Sequence, residues 1–394
     1  MNNVNLRVLH VLHELQRSGA ELNLLQAAGE WGRRGFTLDI LAIAPEVGPL
    51  AASLREVGYV VHHLPLRSAK RFIPETDFCS KFITLCRKNN YDIVHIHPEH
   101  AYYLIATLCK MAGIKTIVRS VHNVYPYGRA LRLRKTLERY YTRLLGVRFG
   151  FVSPSVGGAE LRDFKNDGVV IRNWFDTEHF RPPSAEERAA TRRDRGVSKG
   201  DFVIVSVGNC NGAKNHAALL RALGTIASKI DFLYLHVGRE EAGYGEQKLA
   251  EELGIASRVR FVGQTDDPRS YLWAADLFVM PSLWEGLGIA ALEAAATELP
   301  LILADVAGLR DVGKELKWSE LLPPTPEALA RGILKLFKAD SAKLKERARE
   351  DSALVRDLFS PSRGVQLLIR DLYQLADAPP DSSFANEEAL CKSR

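Results

Sequence analysis

The chain has 394 residues, 25% of them charged and 46% hydrophobic, an ordinary globular balance that excludes a disordered or fibrous polymer and leaves room for two domains. No apolar run reaches the roughly eighteen residues of a membrane span, and "MNNVNLRVLHVLHEL" lacks the pattern of a secretory signal, so a cytosolic protein is expected. Residues 1–170 carry 23 Lys+Arg against 14 Asp+Glu, a net +9, while the remainder is net −3; the basic half calls for an anionic partner such as a nucleic acid, a membrane surface or a phosphorylated substrate.

Taken in chain order, "LRVLHVL", "TLDILAIA", "VVHHLPL", "YDIVHIH", "KTIVRSVH" and "FGFVSPS" are short runs rich in Val and Ile, as buried parallel strands are. Amphipathic segments such as "AELNLLQAAGEWGRRG" separate them, which predicts βαβ crossovers in a doubly wound sheet. None of Cys79, Cys86, Cys109, Cys210 and Cys391 forms a CxxC pair or joins histidines, so reduced thiols and no metal site are expected.

The segment from Tyr127, "YGRALRLRKTLERYYTRLL", predicts one helix with a divided surface. At 100° per residue, Arg129, Arg132, Lys135, Arg139 and Arg143 share an arc of about 120°, with Leu133, Leu137, Tyr140 and Leu144 on the facing side. Either the leucine face docks on its own sheet and the basic face is merely solvated, or the basic face (residues 127–145) rests on anionic lipid. Nucleic acid is not expected, because no aromatic platform or recognition motif accompanies the charge.

"RPPSAEERAATRRDRGVSKGD" is polar and contains proline, and reads as a linker. A second strand series follows: "FVIVSVG", "FLYLHVG", "RVRFVG", "DLFVMPS" and "LPLILADV". The expected division is an N-terminal Rossmann-like domain over 1–172, an interdomain linker over 173–200 and a C-terminal domain over 201–359. A helix over 360–377 should return to the first domain, ahead of a disordered tail over 378–394.

Both halves open with a strand, a glycine-containing loop and a helix, and such a helix N-terminus is a ready anion site. Neither loop is a GxGxxG or Walker A motif. "PSLWEGLGIAALEAAATELP" then puts Glu285 before a helix and Glu293 two turns inside it, about 12 Å of helix apart. Carboxylates accept paired hydrogen bonds from vicinal diols. Two acids flanking a helix N-terminus therefore suit a ligand with a hydroxylated ring at each end and a diphosphate between. The amides of Gly286, Leu287, Gly288 and Ile289 would face the diphosphate, and Lys214 would supply a cation. A nucleotide sugar has this shape. Each residue also has a plainer reading: an exposed helical Glu, a solvated Lys, a strand-end His satisfied in the core.

These residues resemble glycosyltransferase family 4, retaining enzymes of the GT-B fold. The paired-glutamate stretch is similar to the family signature, "VIRNWFDTEHFRP" to its N-G-V-D segment, and "RSVHN" to its strand-terminal histidine motif. "SGAE" is similar to its G-G-x-E loop, and "VGNCNGAKN" matches its phosphate loop in part. The resemblance runs from about residue 6 to about residue 375. It implies an α/β fold of two Rossmann-like domains facing a central cleft. Glu293 would bind the ribose, Glu285 and His122 the donor sugar, Lys214 and Asn209 the diphosphate, and Gly19 would let the N-terminal loop approach it.

The activity implied is metal-independent, retaining transfer of a hexosyl or N-acetylhexosaminyl group, with no cofactor besides the nucleoside diphosphate sugar, a UDP-sugar by family habit. The acceptor would be a glycan, a lipid-linked sugar or a small molecule, in cell-surface polysaccharide or glycoconjugate synthesis, with the enzyme in the cytoplasm or on the inner face of the plasma membrane. Asn209 stands where the family has arginine, and Glu298 where a glycine ends the signature helix. Two other readings stay open: another GT-B enzyme (an epimerase or a phosphorylase) and a non-catalytic nucleotide-sugar-binding subunit.

Overall fold

The computed structural model describes residues 5–66, 76–124, 127–240 and 245–375; the tail expected over 378–394 lies outside them. Seven parallel strands form the first sheet: β1 (Leu6–Leu12), β2 (Phe36–Ala42), β3 (Val60–His63), β4 (Ile93–Ile96), β5 (Thr116–Val121), β6 (Arg148–Phe151) and β7 (Val169–Val170). Their order is β3-β2-β1-β4-β5-β6-β7. The second sheet contains β8 (Val203–Val207), β9 (Leu233–Val237), β10 (Val259–Gly263), β11 (Leu277–Met280), β12 (Leu301–Ala304) and β13 (Glu320–Leu322), ordered β10-β9-β8-β11-β12-β13. The Val/Ile runs are buried on both faces, which is why they read as continuous apolar segments. In each sheet the order reverses beside its first strand, at β1/β4 and β8/β11, and ligand crevices open at the carboxyl ends of strands there.

Residues 173–200 are more than a linker. Ala185–Asp194 is a helix opened by a capping box between Ser184 and Glu187. It buries no residue, so hydrophobic periodicity does not announce it. Arg188 and Arg192 anchor it instead, donating to Asp276 at 2.7 and 3.1 Å. Just before it, the bulky pair that replaces the family's small residues divides between two cores. Trp174 packs with the first sheet and donates to the Asn23 carbonyl at 2.8 Å, while Phe175 packs under the second sheet. Helix Pro361–Leu367 and the π-turn Leu368–Tyr373 then place Val365, Leu368, Ile369, Leu372 and Tyr373 in the first sheet's core.

Helix Arg129–Leu144 is turned opposite to expectation. Lys135 (8% exposed) and Arg139 (1%) face inward, whereas Leu133 (64%), Leu137 (61%), Tyr140 (64%) and Leu144 (70%) face out. The reason is charge pairing across the chain. Arg139 forks onto Glu160 at 2.7 and 2.6 Å, and Lys135 meets Glu138 at 3.0 Å and Glu99 at 3.3 Å. Burial by itself would raise Glu99, but Arg119, Arg139 and Lys135 hold it down at about 2. A buried cation stripe matched by carboxylates from other elements outcompetes the leucine stripe for the inside. No helix among the described residues is long and apolar enough to cross a membrane.

Candidate active site

The loops after β8 and β11 meet at the switch point of the second sheet. Leu283 N–H donates to the Ala213 carbonyl at 2.7 Å, and Asn215 Nδ2 bridges the carbonyls of Pro281 and Pro324 at 3.0 and 3.1 Å. This cross-tie presents Lys214 to Glu285: Nζ lies 2.6 Å from Oε1, which also accepts from the buried Ser282 hydroxyl at 2.9 Å. Ser282 and Asn215 are site-building residues that sequence reasoning missed. Lys214 lies along Gly208, and a Cβ at Gly238 would run into the Gly208 carbonyl, so the loops after β8 and β9 approach this closely only because position 238 is glycine. Asn209 is engaged structurally, its Oδ1 accepting from Arg239 N–H at 3.2 Å, while Arg239 itself is exposed.

Gly288 caps helix Ile289–Ala296 with φ +84, a left-handed conformation that favours glycine, and a Cβ there would press on Leu309. At the helix start Ala291 N–H already turns back onto the Gly288 carbonyl at 2.9 Å, and the N–H groups ahead of it form a positive end. Leu287 packs into the core, so only its backbone is available to a ligand. Glu293, second turn, is 7% exposed and has no hydrogen-bond or ion-pair partner among the described residues. Burial pushes its carboxyl up to about 8. An unpaired acid among alanines is costly and poised for a donor.

The first domain closes against this apparatus at two points. A Cβ on Gly19 would lie 3.0 Å from Ile289 Cδ1, and one on Gly286 would collide with the His122 carbonyl. Gly19, Gly286, His122 and Ile289 are thus assembled from both halves. Ser155 N–H donating to Asp311 at 2.7 Å and Arg172 on Glu315 at 2.6 Å add cross-links. His122 meets Gly286 through its backbone carbonyl, and Nε2 of its ring faces His97, 2.9 Å away. Glu21, in the N-terminal loop motif, is buried and bonded to the Ser18 hydroxyl, with burial raising its carboxyl.

Comparison with known proteins matches residues 17–179 to Glycosyltransferase Family 4 and residues 187–352 to Glycosyl transferases group 1. The chain is 23% identical over 332 residues to the capsular polysaccharide biosynthesis glycosyltransferase CapH of Staphylococcus aureus, covering 81% of this chain and 88% of that one. It is 26% identical over 285 residues to the UDP-Gal:alpha-D-GlcNAc-diphosphoundecaprenol alpha-1,3-galactosyltransferase of Escherichia coli, covering 68% and 72%. In fold it is similar to Anabaena Alr3699/HepE, solved in complex with UDP, with a TM-score of 0.78 at 19% identity over 94% of this chain and all of the other. The two matched regions, one per sheet, with cleft residues drawn from both, lead to one assignment: the chain belongs to glycosyltransferase family 4, group 1, and is a glycosyltransferase of GT-B fold.

Proposed function

We propose that the enzyme transfers a hexosyl or N-acetylhexosaminyl group from a UDP-sugar to an acceptor hydroxyl, retaining the α-configuration, in polysaccharide or glycoconjugate synthesis. The observation that carries this is the pairing of a Lys214–Glu285 contact with an unpartnered buried Glu293 along one helix start. Glu293 takes the ribose hydroxyls. The first-turn amides and Lys214 take the diphosphate, and Lys214 releases Glu285 to the sugar hydroxyls beside His122. Asn209 contributes a polar contact without charge, and Gly19 gives the diphosphate room on the opposite side. Charge growing on the leaving diphosphate is met by Lys214 and the helix end, so no metal ion is required. In retention the acceptor enters on the face from which the diphosphate leaves. Its oxygen bonds the anomeric carbon as the carbon–phosphate oxygen bond breaks, and its proton passes to the departing diphosphate.

The E. coli relative, named for UDP-Gal and a diphosphoundecaprenol acceptor, and the Anabaena neighbour, solved with UDP-glucose, support uridine and a lipid-linked acceptor. The test is a thermal-shift screen of nucleoside diphosphates, followed by transfer assays with and without chelator. A ligand at a hundred times its Kd stabilises by about 2.7 kcal/mol. Preference for another base, release of nucleotide without an acceptor-dependent product, or strict divalent-ion dependence overturns the corresponding part of the reading.

The outward leucine face of helix Arg129–Leu144 supports peripheral attachment to an anionic bilayer at the cytosolic face. Leu133, Leu137, Tyr140 and Leu144 fall within about 60° of arc, and exposed Arg129, Arg132, Arg134 and Arg143 flank them. An apolar stripe rimmed by arginines complements acyl chains below anionic headgroups. Vesicle sedimentation tests this. Binding should rise with anionic lipid content and vanish in Leu137→Asp/Leu144→Asp. Indifference to lipid, or a concentration-dependent dimer abolished by the same changes, overturns it.

A further inference from the structure

Three neighbouring strands, β1, β4 and β5, carry histidines near their carboxyl ends: His10, His95 with His97, and His122. The nitrogens of His10, His95 and His97 lie within 4.8 Å of one another, close enough for a metal site. The rings decide otherwise. His95 stacks on His97 at 4.2 Å with planes 24° apart, so their lone pairs run side by side and do not converge.

His122 Nε2 is 2.9 Å from His97 Nδ1, and His97 Nε2 is 3.0 Å from His10 Nδ1. Centroid separations of 5.1 and 5.3 Å, with planes 22° and 26° apart, are those of imidazoles joined end to end by N–H···N bonds. The chain continues from His10 Nε2 to Tyr373 OH at 3.5 Å, to His95 Nδ1 at 3.1 Å, and from His95 Nε2 to Ser120 Oγ at 2.8 Å. The far end, His122 Nδ1, is buried and has no partner among the described residues.

Burial keeps these rings neutral, His10 down at about 3 and His122 at about 4, with His95 and His97 also well below their usual value. A neutral imidazole has one N–H and one lone pair, so each ring must donate on one side and accept on the other. The protons along such a chain are therefore ordered together. Tyr373 sets the direction. Its hydroxyl is nearer to His95 than to His10 and gives its proton there, which leaves its oxygen to accept from His10 Nε2–H. His10 Nδ1 then accepts from His97 Nε2–H, and His97 Nδ1 accepts from His122 Nε2–H.

We propose that His97, His10 and Tyr373 are positioning residues: a hydrogen-bond wire, closed by the C-terminal segment that crosses back to the first domain, holds His122 as the Nε2–H tautomer with Nδ1 as a bare acceptor. Its consequence for transfer rests on His122 contacting the donor sugar, where an acceptor selects a hydroxyl and rejects a second acceptor.

The experiment is ¹⁵N NMR of the imidazole rings of the full chain labelled at histidine. His10, His95, His97 and His122 should each show the neutral Nε2–H pattern. Tyr373→Phe, which removes one buried oxygen, should leave the melting transition cooperative while His10, His97 and His122 become tautomer mixtures, and turnover should fall about tenfold with the Kd for UDP unchanged. Should Tyr373→Phe fail to fold, His10→Asn interrupts the same wire and should likewise mix the tautomers of His97 and His122. A wild-type His122 protonated at Nδ1, or a His122 pattern unmoved by either change, overturns the proposal. Tautomers that respond as expected, in an enzyme whose turnover is indifferent to His122→Ala, uphold the wire and overturn only the sugar contact.

Discussion

Lys214 and Glu285, 71 residues apart, form an ion pair of 2.6 Å at the junction of the loops after β8 and β11, and Ser282 shares the same carboxylate oxygen. The pair holds both groups in place, and on the proposed reading the donor exchanges it for a cation on diphosphate and a carboxylate on sugar. Lys214→Ala should therefore lower kcat by about 10²–10³, the range found on removing a donor aimed at transition-state charge. The donor KM should change only severalfold. Steady-state kinetics checks this; comparable losses in KM and kcat would count against a transition-state role.

Glu293 gives a pH signature. Its carboxyl is held up at about 8 in the folded free protein, against an ordinary value of 4.5. On the role proposed for Glu293, ribose hydroxyls donate to the ionised form, so nucleotide binding below pH 8 expels a proton. UDP affinity should climb with pH, approaching about tenfold per unit, and level off above 8. Glu293→Gln should bind more weakly and without that slope. Glu285→Gln should lower turnover yet leave UDP affinity nearly intact; equal losses in the two variants would refute the division of roles.

The same residue predicts a stability profile. Between pH 4.5 and 8 the unfolded chain ionises Glu293 and the folded chain does not, so the folded state loses stability as pH rises through this window. Glu293→Gln should raise Tm relative to wild type at pH 8 and have little effect at pH 4. Thermal melts at both values test it.

Glu298 ends the signature helix at φ +61, a left-handed position where a side chain costs about 1–2 kcal/mol. Glu298→Gly relieves that strain at the expense of the surface contact with Arg349, 3.6 Å away. A net gain of about 1 kcal/mol is expected in denaturant unfolding. A loss would mean that Arg349 matters more than the backbone.

Arg139 and Glu160 are both buried and mutually bonded. Arg139→Met should destabilise by about 3–5 kcal/mol by stranding a carboxylate, and adding Glu160→Leu should recover much of it. If the single change were nearly neutral, charge pairing would not explain the helix's orientation.

How much was legible in the chain follows from the range of each interaction. Short runs rich in Val and Ile are local, and they sufficed to predict both sheets apart from β7 and β13, whose two and three residues carry no period. The seven residues between Glu285 and Glu293, and the glycine before the helix, likewise describe geometry within a few turns of backbone. The divided surface of Arg129–Leu144 was equally visible, but its inward side was not. That choice depended on Glu99 and Glu160, brought from other elements. Helix Ala185–Asp194 was hidden because ion pairs to Asp276, not an apolar stripe, hold it down. His10, His97 and Tyr373 lie 87 and 276 residues apart in succession, so only folding could align them. Burial of apolar side chains has a period that sequence displays, whereas a hydrogen bond or an ion pair is defined by its partner, and the partner is chosen in three dimensions.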